Sequence, residues 1–151
     1  MADYDLLVVG GGTGNNVAAA GADAGLETAL VEPGPLGGTC LNRGCNPSKI
    51  LIQAATAANR VREAGRFRVD ATLDDIDYAA VIDDVDATLS PLAERKADRY
   101  REMDNLALYK SGATFVDERT VDIDGETVGA KTVVVAARTR TRSTRKRRVS
   151  R

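Results

Sequence analysis

The chain has 151 residues, among them 22 acidic residues, 21 lysine or arginine residues, two cysteines and no histidine. This length suits one domain or part of a larger one, with enough apolar content for a hydrophobic core. No apolar stretch approaches the ~20 residues that a membrane span requires, and no signal peptide is recognisable, so we expect a soluble cytoplasmic protein without a membrane partner.

Residues 4–9 form a short, nearly continuous apolar run that predicts a buried parallel strand. A glycine-rich turn follows at residues 10–14, and the alanine-rich residues 17–24 predict a helix. Residues 27–31 predict a second strand, which is followed directly by Glu32. This order of strand, glycine turn, helix, strand and acidic residue is the fingerprint of a dinucleotide-binding unit.

Three residues of this unit have separate predicted roles. Gly10 permits the tight turn, and Gly12 lets the backbone approach a pyrophosphate at the N-terminus of the helix. Glu32, 20 residues beyond Gly12, can accept hydrogen bonds from a ribose hydroxyl. Asn15 stands where the motif has its third glycine, so we expect a change in helix-to-strand packing more than a lost phosphate contact. The alternative is a parallel α/β unit that binds nothing.

The two cysteines, Cys40 and Cys45, lie in the run 37–49, with glycines on both sides and a proline just after. These residues favour a turn that would let the two thiols close a small ring. The alternatives are two unrelated buried thiols, half a metal site or a structural disulfide. A metal site lacks a histidine or a third cysteine, and a reducing compartment disfavours a structural disulfide, so we favour a redox pair.

Two further helices are predicted after the cysteines. The helix that carries the thiols is predicted to run to about Arg66, and a second one to span residues 78–103, where Pro91 kinks or divides it. We assign the Asp- and Arg-rich face of this long helix to solvent. The residues predicted to share its apolar face are Val81, Val85, Leu89, Leu92 and Ala93.

Strands are predicted in the remaining part of residues 1–137. Residues 106–109 predict a parallel strand, and residues 112–116 predict the start of a β-meander. Asp124 and Gly125 have the sequence of a two-residue hairpin turn. Residues 131–137 are apolar enough to form one more buried strand.

Residues 10–14, Glu32 and residues 37–49 together resemble the pyridine nucleotide-disulfide oxidoreductases, flavoproteins that include dihydrolipoamide dehydrogenase and mercuric reductase. The cysteine run is most similar to that of dihydrolipoamide dehydrogenase and differs from it at two positions. The resemblance covers about residues 4–137. It implies an α/β, Rossmann-like FAD-binding domain with a parallel sheet, long helices and a small β-meander.

The resemblance implies FAD, rather than NAD, at this first site, with Glu32 holding the adenosine ribose. NAD or NADP would bind only in the full-length relative, as would the small dithiol or disulfide substrate. Lys49, one helical turn beyond Cys45, would sit near the flavin, stabilise its reduced, anionic form and depress the pKa of a nearby thiol. The alternative for Lys49 is a solvated helix lysine. The implied cofactor-binding residues are Gly10, Gly12, Thr13, Gly14, Glu32, Gly38, Thr39, Lys49 and Ala113.

The same resemblance assigns roles to the two thiols as catalytic residues. Cys45 would lie against the flavin as the charge-transfer thiolate, and Cys40 would be the interchange thiol that attacks the disulfide substrate. The full-length relative would pass electrons between NAD(P)H, FAD and the Cys40–Cys45 redox disulfide. The electron acceptor is open among lipoamide, mercuric ion and another disulfide.

The family pattern stops after Ala137. The last fourteen residues contain eight lysine or arginine residues and no acidic residue, and we expect them to be disordered. We therefore divide the chain into a partial FAD-binding domain, residues 1–137, and a basic tail, residues 138–151. We interpret the tail as a frameshift product. A segment that binds nucleic acid or another anionic surface is the alternative.

We expect this chain to lack the family's nicotinamide-binding and dimerisation domains, and it has no histidine for the family's acid/base pair. The family is homodimeric by the same resemblance. We therefore expect an inactive N-terminal portion of an FAD-dependent dithiol/disulfide oxidoreductase. The alternatives are a stand-alone FAD- or nucleotide-binding module and, with less support, a basic-tailed nucleic-acid binder.

Overall fold

Six strands of the described residues form one sheet, and they are β1 Ala2–Val9, β2 Thr28–Val31, β3 Leu106–Tyr109, β4 Thr114–Asp117, β5 Thr120–Ile123 and β6 Glu126–Val135. Their order in the sheet is β3-β2-β1-β6-β5-β4. The computed structural model describes residues 2–137, and the basic tail predicted to be disordered lies outside them. Neighbouring strands from β3 to β6 run parallel, whereas β5 and β4 add antiparallel strands at one edge.

The predicted meander is present, and its last strand is longer than predicted. Asp124 and Gly125 both adopt positive φ angles, of 53° and 87°, which is the conformation that a two-residue turn of this kind requires. Residues 131–135 of the strand predicted at residues 131–137 are the second half of β6, which pairs with β5 on one side and with β1 on the other, and residues 136 and 137 lie beyond its end. The meander and the parallel sheet are therefore one continuous sheet, which confirms the α/β class.

Four α-helices connect or cover the strands, and two of the predicted helical segments differ from the prediction in their continuity. The segment with the thiols is broken at Gly44 into two helices, and the long helix continues through Pro91 without division. The helices are α1 Gly14–Asp23, α2 Gly38–Arg43, α3 Cys45–Glu63 and α4 Tyr78–Arg101, and a 3-10 turn covers Ala64–Phe67. No helix of residues 2–137 has both the length and the apolar character needed to cross a bilayer.

The core lies on both faces of the sheet, because successive side chains of a strand point to opposite faces. Leu6 and Val8 of β1 pack on one face with the alanines of α1 and with Ala97 and Tyr100 of α4. Leu7, between them, packs on the other face with apolar residues of β2, β5 and β6. The continuous apolar run of β1 is thereby explained by burial on both of its faces.

The buried stripe of α4 differs from the predicted one at Val81, which is half-buried, at Leu92 and at its C-terminal end. Val85, Leu89 and Ala93 are buried as predicted, and the stripe continues through Ala97 and Tyr100 at helical spacing. Leu92 lies off this stripe and keeps 38% of its surface exposed. The stripe is thus narrower than predicted and extends further toward the end of the helix.

Close packing of α1 on the sheet depends on two glycines other than the one that Asn15 replaces. A Cβ atom added at Gly14 would lie 2.9 Å from a Val8 methyl carbon, and one at Gly21 would lie 2.6 Å from a Leu6 methyl carbon. These distances leave no room for a side chain. Asn15 is therefore compatible with close helix-to-strand packing, and the expected change in packing is not needed to accommodate it.

An exposed ion pair joins β1 to β6 at the edge opposite the glycine turn. The Lys131 Nζ atom lies 2.6 Å from Asp5 Oδ1. The hydrogen bond from Lys131 lowers the pKa of Asp5, and the same bond raises the pKa of Lys131. The contribution of Asp5 to stability is present above its ordinary pKa and is lost as pH falls through the lowered value.

Substitution of Lys131 should therefore change the titration of Asp5. In Lys131→Met we expect the pKa of Asp5 to rise toward its ordinary value, with little change in the unfolding midpoint because both groups are at the surface. The measurement is an NMR titration of the Asp5 carboxyl carbon in both proteins. An unchanged Asp5 titration would contradict this assignment.

Candidate functional site

A cleft of about 800 Å³ opens at the carboxyl ends of β1, β2 and β6. Val9, Val31 and Ala136, at or just beyond these strand ends, contribute to its wall. The chain order reverses at this place, since β2 and β3 lie on one side of β1 and β6 lies on the other. Such a point at the carboxyl edge of a parallel sheet is where open α/β sheets bind ligands.

The glycine turn forms one wall of the cleft, and two of its glycines are needed for different reasons. Gly10 has a φ of +113°, and a Cβ there would lie 2.6 Å from the carbonyl oxygen of Ala136. A Cβ at Gly12 would meet only the Cα of Gly38, at 3.7 Å. The glycine at position 10 is thus required by the fold, whereas position 12 leaves the backbone open to the cleft.

The N-terminus of α1 begins within this turn. Thr13 is the residue before the first helical position, and no side chain caps the helix there. The first N–H groups of a helix have no partner inside the helix, and together they carry a positive partial charge. Thr13 also lines the cleft, so this helix end is suited to bind an anion such as a phosphate.

The Glu32 carboxylate is fixed by two backbone N–H groups. Its Oε2 accepts a hydrogen bond from the Gly11 N–H at 2.7 Å, and its Oε1 accepts one from the Gly34 N–H at 2.8 Å. A carboxylate offers about four acceptor positions, so two remain for a ligand. Glu32 is half-buried and lines the cleft, which suits it to hold the hydroxyl groups of a ribose.

Asn15 has a role that the sequence analysis did not foresee. Only 1% of its surface is exposed, and its Nδ2 donates to the carbonyl oxygen of Gly11 at 2.9 Å. The Tyr100 hydroxyl donates to Asn15 Oδ1 and to its carbonyl oxygen, at 3.2 Å each. The Asn15 side chain therefore links the glycine turn to α4, whereas a glycine at this position would keep only the hydrogen bond from Tyr100 to the backbone carbonyl oxygen.

The cysteine segment is attached directly to the glycine turn. The Gly37 N–H donates to the carbonyl oxygen of Gly11 at 3.0 Å. The Asn42 side chain donates to the carbonyl oxygens of Leu36 and Gly38, at 3.1 and 2.9 Å, and so fixes α2 on this loop. As a result Cys40, in α2, is one of the residues that line the cleft.

The two thiols are free, exposed and close enough to interact. Gly44 separates them, and a Cβ there would lie 2.8 Å from the carbonyl oxygen of Thr39, so the break between α2 and α3 depends on this glycine. The interaction with the Cys45 thiol raises the pKa of Cys40, and the Lys49 ammonium lowers it by a smaller amount. The two thiols are therefore neighbours across the break between α2 and α3.

The profile of the pyridine nucleotide-disulphide oxidoreductase family matches residues 4–144, which is most of the chain. This chain belongs to that family. The match includes the glycine turn, Glu32 and both cysteines, and thus confirms the resemblance that these residues carry.

Similar curated proteins of this family cover several activities. Dihydrolipoyl dehydrogenase of Chlamydia muridarum is 34% identical over 88% of this chain and 29% of its own length. Mycothione reductase of Mycobacterium tuberculosis is 34% identical over 93% of this chain and 32% of its own length. Mercuric reductase of Lysinibacillus sphaericus is 32% identical over 89% of this chain and 25% of its own length. The chain thus spans about a third or less of these relatives.

A solved structure of a flavoprotein disulfide reductase has the same fold. The Cu(II) complex of the HOCl-induced flavoprotein disulfide reductase RclA from Escherichia coli superposes with a TM-score of 0.67 and 20% sequence identity. The superposition covers 86% of this chain and 27% of that chain. At this identity the similarity supports the fold of the described residues.

The cleft brings together most, but not all, of the site residues expected from the sequence. Those that line it are Gly10, Gly12, Thr13, Glu32, Gly38, Thr39, Cys40 and Ala113. Gly14, the first residue of α1, is instead buried where α1 packs on the sheet, and Cys45 and Lys49 are exposed on α3. Lys96 of α4 also lines the cleft and was not foreseen, because the charged face of α4 was assigned to solvent.

Substitution of Cys45 should make Cys40 more reactive. Removal of Cys45 in Cys45→Ala takes away the largest cause of the raised Cys40 pKa, so a larger fraction of Cys40 is thiolate at pH 8. We expect faster alkylation of Cys40 by iodoacetamide in this variant. In the double variant Cys45→Ala, Lys49→Met the rate at pH 8 should fall again, because the positive charge that lowers the Cys40 pKa is gone. A Cys45→Ala rate no faster than that of Cys40 in the wild type would contradict the assignment.

Proposed function

We propose that this chain binds FAD in the cleft and supplies the redox-active cysteine pair of an FAD-dependent dithiol/disulfide oxidoreductase. The observation that carries the proposal is that the glycine turn, Glu32 and Cys40 line one cleft. A nucleotide site and a thiol site that share a cavity allow electrons to pass between the two groups. A nucleotide-binding module without turnover would not need Cys40 at this place.

The cleft fits the nucleotide half of FAD. Its volume lies within the range of small-molecule sites. Gly12 and Thr13 offer open backbone and a helix N-terminus to a pyrophosphate. Glu32 offers its remaining acceptor positions to the ribose, and Ala113, on the same cleft, offers backbone to the adenine. When bound, FAD would supply the two-electron carrier between a nicotinamide and the thiols.

The proposed chemistry of the thiols is disulfide exchange. The Cys40 thiolate attacks one sulfur of a substrate disulfide, forms a mixed disulfide and releases one substrate thiolate. The Cys45 thiolate then attacks Cys40, which releases the second substrate thiolate and leaves a Cys40–Cys45 disulfide. Two electrons have then passed from the protein to the substrate, and reduced FAD would return them to the disulfide. The raised pKa of Cys40 makes the first attack slow at neutral pH unless a base removes its proton.

The activity of a whole protein is a wider proposal, because the chain spans only 29% of the dihydrolipoyl dehydrogenase that it resembles. The nicotinamide, the disulfide or dithiol substrate and the homodimer of the family belong to this wider proposal. For the chain itself we propose FAD binding and cycling of the cysteine pair.

The first test is a titration of the purified chain with FAD, followed by calorimetry, with NAD as the comparison ligand. We expect FAD to bind and NAD to bind more weakly. Loss of the hydrogen bonds between ribose and carboxylate in Glu32→Ala should weaken FAD binding by about tenfold to a hundredfold. Glu102→Ala, which removes an exposed carboxylate at the end of α4, serves as the control and should bind normally. Absence of FAD binding to the wild-type chain would refute the proposal.

A further inference from the structure

A buried hydrogen-bond network connects α4 to the glycine turn and ends at a lysine. Asn15 is held on one side by Gly11 and on the other by the Tyr100 hydroxyl. Its Oδ1 also accepts a hydrogen bond from Lys96 Nζ at 3.3 Å. The network thus holds the ammonium of Lys96 at the cleft, beside the turn that precedes α1.

The charge of Lys96 is not balanced by a protein carboxylate in the described part of the chain. The ion pairs of residues 2–137 join Arg66 to Glu63, Arg101 to Asp98 and Lys131 to Asp5. Glu32, the carboxylate of the cleft, accepts hydrogen bonds from two backbone N–H groups and is not a partner in any of these ion pairs. Lys96 is half-buried, so part of its hydration is also lost.

A cation beside a helix N-terminus is electrostatically unfavourable, because both carry positive charge. An anion bound between them would reverse the sign of this effect. Lys96 has three N–H donors, of which Asn15 accepts one, so two are left for such an anion. The arrangement therefore favours a ligand whose negative charge lies against Gly12 and Thr13.

We propose that Lys96 is a further binding residue, whose ammonium contacts the diphosphate of the dinucleotide in the cleft. This inference rests on the proposed function and makes it more specific, because it makes the diphosphate a major source of affinity. Asn15 is then a positioning residue, which holds Lys96 toward the glycine turn from the next helix. This positioning role would explain why the chain has an asparagine at the third glycine position of the motif.

The test compares FAD with adenosine, which lacks the diphosphate, on the wild-type chain and three variants. Lys96→Gln should weaken FAD binding by about tenfold, as expected for one lost hydrogen bond to a charged group. It should also make the affinity less sensitive to salt. Lys96→Arg should restore most of the affinity, and Arg95→Gln, which removes an exposed charge one position away, should bind as the wild type does. Adenosine binding, followed by NMR, should be the same in the wild type and Lys96→Gln.

The outcomes separate this inference from the proposed function. If the wild-type chain binds FAD and Lys96→Gln binds it equally well, the role of Lys96 is overturned and the FAD proposal stands. If Lys96→Gln weakens adenosine as much as FAD, the lysine acts on the shape of the site, and its contact with the diphosphate is overturned. If the wild-type chain binds no FAD, both fail.

Discussion

Replacing Gly10 by alanine should lower the free energy of unfolding by about 2–4 kcal/mol. Gly10 has a φ of +113°, which an L-residue rarely adopts, and the new Cβ would lie 2.6 Å from the backbone oxygen of Ala136. Backbone atoms at a strand end cannot rotate away as a side chain can. The Gly10 N–H also donates to the carbonyl oxygen of Val31 at 2.8 Å, so the turn cannot shift without breaking the link to β2.

Gly65→Ala is the matched control for this prediction. Gly65 has no heavy atom within 4 Å of its Cβ position and no positive φ, so alanine should be neutral or slightly stabilising there. The measurement is the urea unfolding midpoint of both variants and of the wild type, followed by circular dichroism. Equal midpoints for Gly10→Ala and Gly65→Ala would contradict the packing at the end of β1.

Replacing Gly12 by valine should weaken FAD binding and leave the stability of the fold unchanged, in contrast to Gly10→Ala. A Cβ at Gly12 has 3.7 Å of clearance from Gly38, so the protein can accept a side chain there. The two methyl groups would, however, occupy the part of the cleft where the backbone is expected to approach the pyrophosphate. We expect at least about a hundredfold loss of affinity, or roughly 2.7 kcal/mol.

The Gly12→Val result is interpretable only with the unfolding midpoint measured on the same sample. Gly112→Ala serves as the control, because Gly112 also lines the cleft and no heavy atom lies within 4 Å of its Cβ position. This control should keep FAD affinity within a few-fold of the wild type. Normal FAD binding by Gly12→Val would show that the pyrophosphate does not bind at the glycine turn.

The parts of the fold that the sequence predicted well are those that local residues determine. β1, β2 and β3 are short, nearly continuous apolar runs, which is the pattern of strands that are buried on both faces of a sheet. The turn at Asp124 and Gly125 follows from the positive φ angles that these two residue types tolerate. The turn that the glycines and the proline of residues 37–49 predicted is present at Gly44, where it separates α2 from α3. The reason that this residue is a glycine is visible only in the folded chain, because a Cβ there would lie 2.8 Å from the carbonyl oxygen of Thr39.

The residues of the candidate site also fall into those that local sequence predicts and those that it does not. The glycine turn and Glu32 were predictable because their spacing within one strand, helix and strand unit fixes their positions. Lys96 and Tyr100 were not, because they reach Asn15 across 81 and 85 positions of the chain. Their helix has other charged residues at its surface, and composition does not distinguish Lys96 from them. The pKa of Cys40 is raised, although Lys49 lowers it, because the interaction with Cys45 is the larger cause.

The central claim is that FAD bound in the cleft exchanges electrons with the cysteine pair, of which Cys40 lines that cleft. Its most direct measurement is the visible absorbance of the FAD-loaded chain during stepwise reduction without oxygen. We predict a new long-wavelength band after partial reduction, which is absent in Cys45→Ser, although that variant should still bind FAD. FAD that is reduced without such a band, and equally in the wild type and Cys45→Ser, would contradict the claim.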